Sequence, residues 1–227
     1  MLRSFVLQSS ILRPMMRSVG CLIVLLAASL ALAQTEFSAE IVNTEKSDSV
    51  SQAKIYLSKD KMRIEPTGNG GNAKGAGMGR GMGALIIDMT AHTSTVLMDQ
   101  QHMYMELPQA AGAPGQKNLY NFFRTGDVEN ACADWLQQAK NQGGSCHKEG
   151  NDTVNGRSTI KFEATNNSGE TGYFWIDPKL RFPVKWQGKN SSGELRNIQE
   201  GTQPANLFEV PAGYTKMDLG NMMQRPQ

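Results

Sequence analysis

NGRSTIKFEATNNSGETGYFWIDPKLRFPVKWQGKNSSGELRNIQE, residues 155–200, is the stretch that decides the fold. After the turn dipeptide Asn155-Gly156, four segments rich in β-branched and aromatic residues follow at 158–164, 171–176, 182–187 and 194–200. Gly169, Asp177-Pro178 and Ser192-Gly193 punctuate them. Short strands parted by tight turns read as an antiparallel meander. Tyr173 and Trp175 fall on one face of the second segment, Phe174 and Ile176 on the other, and Phe182 and Trp186 stand on the next strand. A strand apolar on both sides belongs to a sheet that is covered twice, or whose concave side is occupied.

The same pattern extends toward the N-terminus. Residues 36–43 set Phe37, Ala39 and Ile41 against Ser38 and Glu40, the period of a half-buried strand. Segments 54–58 and 61–65 form a hairpin about Lys59-Asp60, and short apolar runs recur at 84–89, 94–99 and 102–107. About ten strands result, and a sheet of that size must curl. One amphipathic helix is expected over 127–140, with Asp127 at its cap and Val128, Ala131, Cys132, Trp135, Leu136 and Ala139 on one face. A further helical turn is read at 118–123. The fold class is α+β, mainly β: a strongly curved antiparallel sheet with one or two helices over its concave side.

Arg3, Arg13 and Arg17 precede a 13-residue apolar run, 21–33, ending in Ala31-Leu-Ala33. The run is too short to cross the roughly 30 Å core of a bilayer. It reads as a secretory signal peptide, residues 1–33, cleaved between Ala33 and Gln34, rather than as an anchor, so no transmembrane segment is expected afterwards. Residues 34–227 then form one domain, with a flexible glycine-rich loop at 67–83 and a flexible tail at 217–227. The loop holds eight glycines in 17 residues. It lacks the lysine and hydroxyl pair of a phosphate-binding loop, so no nucleotide cofactor is implied. Loss of three arginines and no acid from 23 basic and 21 acidic residues leaves 20 against 21, a net charge of −1. Such a balance, without a basic stripe, argues against a nucleic-acid partner.

Two cysteines remain, Cys132 and Cys146. An even pair in an oxidising compartment reads as one disulfide, worth about 3 kcal/mol for a loop of about 15 residues. The alternative is a redox or metal pair, but the spacing is not Cys-x-x-Cys. The nearest histidine, His147, is read without a second histidine or a carboxylate cluster around it, and no metal site is expected. His92 and His102 belong to a turn and a strand start, no catalytic motif is present, and an enzyme is not expected.

Methionine is over-represented in the N-terminal strands. Met103 and Met105 point to one side of a strand and Tyr104 to the other. Thioether side chains suit core packing, a pliant wall against apolar ligands, or, less naturally without adjoining histidines, copper. The candidate ligand wall comprises Met62, Ile64, Ile87 and Met89 with Leu97, Met98, Met103 and Met105.

Tyr173-Phe-Trp-Ile-Asp-Pro178, Phe182-Pro-Val-Lys185, Asn197-Ile198 and Asn206-Leu-Phe-Glu-Val-Pro-Ala-Gly-Tyr214 together give a resemblance to a known family. In these words, and in the order of elements over 36–216, the chain resembles the periplasmic outer-membrane lipoprotein-carrier (LolA-like) superfamily, in particular its small exported members. The resemblance implies an unclosed β half-barrel with helices over its hollow, where some members hold acyl chains. The function expected is that of a periplasmic protein binding a lipid, a lipoprotein's acyl chain or another apolar ligand. The alternatives are an envelope interaction or structural protein without a ligand, and a hydrolase.

Overall fold

The structure is a computed structural model and describes residues 35–44, 51–67, 83–108, 127–138, 143–189 and 192–217. The expected signal segment at 1–33, most of the glycine-rich stretch at 67–83, the expected turn at 118–123 and all but the first residue of 217–227 lie outside them.

Among the described residues, twelve strands form one sheet. In chain order they are β1 (Phe37–Asn43), β2 (Ser51–Leu57), β3 (Lys61–Pro66), β4 (Ala84–Asp88), β5 (Thr93–Met98) and β6 (Met103–Pro108), then β7 (Ser145–Val154), β8 (Arg157–Thr165), β9 (Thr171–Asp177), β10 (Phe182–Gln187), β11 (Ser192–Glu200) and β12 (Thr215–Lys216). Their spatial order is β12-β6-β5-β4-β3-β2-β1-β11-β10-β9-β8-β7. The two ends do not meet, so the sheet stays open. Every pairing is antiparallel except the short parallel contact of β12 with β6.

The count exceeds the expected ten by β7 and β12. β7 reads Ser-Cys-His-Lys-Glu-Gly-Asn-Asp-Thr-Val and is mostly solvent-exposed along both faces. An edge strand of this kind shows no apolar alternation, and charged residues on an edge blunt unwanted pairing. β12 is two residues long and has no periodicity to detect.

Curvature comes from interrupted registers. Ladder shifts occur at Ser38/Glu40, Ile41/Val42, Pro183/Lys185 and Lys148/Gly150. Each bulge bends its strand and increases the local twist. Close packing follows at Gly193, where a Cβ would lie 2.4 Å from the Trp186 ring and 2.9 Å from the Val42 carbonyl oxygen.

Three apolar clusters fill the fold. The largest joins Phe37, Ile55, Leu57, Met62 and Ile87 to Trp175, Leu180, Phe182, Val184 and Leu195. Within it Phe37 meets Phe182 edge to face, centroids 5.3 Å apart. The second lies beneath the single described α-helix, α1 (Ala131–Gln138). There Ala131, with Val128, Cys132 and Trp135, covers Ile160, Phe162, Ala164, Phe174 and Ile176. Phe162 and Phe174 are stacked at 5.0 Å. The third is made by the C-terminal segment: Phe208, Leu207, Val210 and Tyr214 cover Ala84, Ile86, Leu97, Tyr56 and Tyr104. Arg63 Nη1 donates to the Leu207 carbonyl at 2.9 Å, and Tyr214 Oη donates to Asp99 at 2.8 Å.

α1 begins later than the sequence pattern suggests. Asp127 accepts from the Glu129 amide and the Asn130 side chain, capping a turn that leads into the helix. Those bonds, the Asn130 side chain first, hold the Asp127 carboxyl below its usual pKa. Cys132 and Cys146 are disulfide-bonded, Cα atoms 5.4 Å apart, and tie α1 to β7.

Asp177 is the most deeply buried carboxylate among the described residues. It is 2% exposed and accepts from the Lys179 and Leu180 amides at 2.8 and 3.1 Å. Its other oxygen takes the Arg157 guanidinium, which also reaches Glu200 at 2.8 Å. Lys179 and then Arg157 hold the Glu200 carboxyl below its ordinary range.

Three outcomes follow for stability. Arg157→Ala leaves Asp177 without its cation and is expected to cost about 2–3 kcal/mol in urea unfolding. That is less than for a fully enclosed pair, because Arg157 is partly solvated and two amides remain on Asp177. A folded pKa of Glu200 below its unfolded value adds stability above the unfolded value. That part is lost as pH falls through the folded pKa, so the gap between wild type and Glu200→Gln should close on acidification. Reducing the disulfide should lower the thermal midpoint, with a loss of about 3 kcal/mol of unfolding free energy in the chain-entropy view. Intact mass should change on alkylation only after reduction.

Candidate functional site

Direct cross-strand neighbours share a sheet face, so the registers place the candidate wall residue by residue. One row runs Ile55, Ile64, Leu85, Val96, Met105 across β2 to β6. The next runs Leu57, Met62, Ile87, Ser94, Leu107, and Met98 faces Met103 beyond them. The face is therefore apolar almost without interruption over five strands.

Burial divides it in two. Met62, Ile87 and Met89 are at most 1% exposed and belong to the main core, with no surface left for a ligand. Ile64, Leu85, Met98, Met103, Met105 and Leu107 are half-buried and form a strip reaching the β6 side of the sheet. Leu97 does not join it. The period of two turns Leu97 to the opposite face from Val96 and Met98, where it is fully buried against the C-terminal segment. Leu85 and Leu107 belong to the strip although composition alone did not select them; the alternation of β4 and β6 was the available signal, while Val96 of the same row is buried. Such a strip can contact an alkyl or aromatic chain by burial and dispersion, and thioethers let it adapt to shape.

A second grouping of side chains lies on β7 to β10 and is polar. Trp175 Nε1 donates to Asp152 at 2.7 Å. That bond, first among the causes, lowers the Asp152 pKa. Lys161 stands 4.3 Å over the Tyr173 ring, and Lys185 stands 4.7 Å over Trp175. His147 Nε2 lies 2.7 Å from Glu149 Oε1 and 3.8 Å from Glu163 Oε1. The reading of His147 as free of neighbouring carboxylates is thereby corrected: Glu149 follows on the same strand and Glu163 is its direct cross-strand partner. The latter contact depends on a register that sequence spacing does not reveal. The other histidines stand elsewhere, His92 in a turn and His102 after a 3-10 segment, both at positive φ.

No protein-family profile matches the chain, and no curated protein matches it. Among solved structures it is similar to an uncharacterized conserved protein from Thermus thermophilus, at 10% identity and a TM-score of 0.48, over 82% of this chain and 91% of that one. It is also similar to a chain of the Pseudomonas aeruginosa MucA/MucB complex, at 12% identity and a TM-score of 0.46, over 80% of this chain and 57% of the other. A third is a putative outer membrane lipoprotein-sorting protein domain from Vibrio parahaemolyticus, at 10% identity and a TM-score of 0.29, over 84% and 92% of the two chains.

The division of the wall has a direct consequence. Leu97→Ala should cost about 2–5 kcal/mol in urea unfolding, as for buried leucines generally, whereas Met105→Ala should cost about 1 kcal/mol or less. Equal losses at the two positions would show that the strip is packed core.

Proposed function

We propose that the protein is an exported, non-catalytic binding protein of the periplasm that receives a lipid, or the acyl chain of a lipoprotein, against the half-buried strip of β3 to β6. The observation that carries this reading is the continuity of the apolar rows from the closed core to half-buried Met98, Met103, Met105 and Leu107. Adaptable thioether groups concentrate where the face is open to solvent. The Cys132–Cys146 bridge supports an oxidising compartment, as does the apolar run at 21–33. No helix among the described residues is long and apolar enough to cross a membrane.

The energetics suffice for a moderate affinity. Each buried methylene contributes about 0.8 kcal/mol, so about sixteen of them, a full-length acyl chain, supply roughly 13 kcal/mol, which after an association cost of about 5 kcal/mol leaves roughly micromolar binding.

A second reading follows from β7, whose outer edge pairs with no strand among the described residues. Ten residues of open edge can receive an extended segment of a partner through main-chain hydrogen bonds, which suits an envelope interaction protein without a ligand. Native mass spectrometry of protein taken from its own envelope separates the two, since co-purifying lipid belongs only to the first.

Replacing Met103 and Met105 together by glutamine tests the strip. Binding of a fluorescent fatty acid should weaken at least about tenfold with the thermal midpoint nearly unchanged. A large loss of midpoint, with no binding by the wild type, would instead make these methionines structural.

A further inference from the structure

We propose that His147, Glu149 and Glu163 form a surface site for a divalent ion of the borderline class, Zn2+ or Cu2+. The site is separate from the apolar strip and does not depend on it.

Two features of β7 and β8 create the grouping. His147 and Glu163 are direct partners across the ladder, which sets their side chains on one face. Glu149 sits in the ladder shift between Lys148 and Gly150. Gly150 has φ +141°, a conformation open to glycine and strained for other residues. Strand alternation sets Glu149 on the same face as His147, and the shift leaves it without a direct partner on β8, where its carboxylate meets the imidazole. One ligand atom from each of the three residues lies within 4.8 Å of the others. Ligands about 2.1 Å from a tetrahedral zinc are about 3.4 Å apart, so small rotations of exposed side chains suffice to close around an ion.

The surroundings resemble a supporting shell. Tyr173 is the direct cross-strand partner of Glu163 on its other side, which places its hydroxyl to support that carboxylate. The Cys132–Cys146 bridge anchors the residue before His147 to α1, and Lys148, the residue after it, pairs with Glu129. The backbone that presents the imidazole is held on both sides. Two carboxylates and a neutral imidazole balance a divalent charge, and the nitrogen ligand favours zinc or copper over calcium or magnesium. His147 is 58% exposed at its side chain, so water can complete the coordination. Lys161, 4.0 Å from Glu149, is the competing cation. Without a metal, the same three groups amount to a solvent-exposed contact of an imidazole with two carboxylates.

Calorimetric titration with Zn2+ decides between these, using the full chain with its disulfide intact, no polyhistidine tag and near-neutral pH. The expected result is one saturable site of roughly micromolar dissociation constant. It should weaken about tenfold or more in His147→Gln and in Glu163→Gln. Lys161→Ala should tighten it several-fold, because the ion then meets no ammonium competitor. Thermal midpoints of the three variants in chelator should match the wild type, which keeps loss of binding distinct from loss of fold. Absence of saturable uptake by the wild type would overturn the proposal, as would a His147→Gln protein that binds Zn2+ as well as the wild type does.

Discussion

The ladder between β1 and β11 is the contact on which the rest of the molecule depends. Asn43 lies opposite Gly193 and Phe37 opposite Glu200, so residues about 150 positions apart in sequence are direct neighbours. Apart from this and the two-residue β12 contact, strand pairings join strands that follow one another along the chain. Without β1–β11 there would be two separate meanders, β1 to β6 and β7 to β11, each exposing apolar residues along its sides. Joining them encloses Phe37 against Phe182 and Leu195 beside Ile41. Closing so long a loop is entropically costly and slows folding relative to local contacts, so the cluster must offset that cost as the ladder forms.

Once the halves are joined, cover becomes the governing requirement. Around β8 and β9 it comes from α1, held by the bridge to β7. On the outer residues of β4 and β5 it comes from the C-terminal segment, whose Phe208 sits over Ala84, Ile86 and Leu97. The half-buried strip of β3 to β6 is the apolar region that this arrangement leaves partly open. Its position follows from the topology: the C-terminal segment crosses the other face of the same strands.

Polar groups were assigned by the same geometry. Asp177 is tolerable at 2% exposure because two amides and a guanidinium satisfy it. The His147 grouping needs no such burial and stands on the edge strand, where charge discourages uncontrolled pairing. Function and protection from aggregation can therefore share the same residues of β7.

Much of the fold was legible in the chain, because period-two alternation in 36–43, 61–65, 84–89 and 158–200 reports directly which side chains a pleated strand can bury. The cysteine pair was legible too, since only two of the three cysteines lie beyond residue 33. β7 was not, because a strand exposed on both faces carries no apolar period. Membership of the wall was legible only in part. That Met103 and Met105 share a side follows from their spacing alone. That Met62 is closed off while Met105 is half-open, that Leu97 serves the opposite face, and that Glu163 stands across from His147 depend on which strands become neighbours and in what register. Local sequence determines the facing of each strand. Only the long-range pairing of β1 with β11, and the cover laid over the sheet afterwards, decides which of those faces meets protein and which meets solvent.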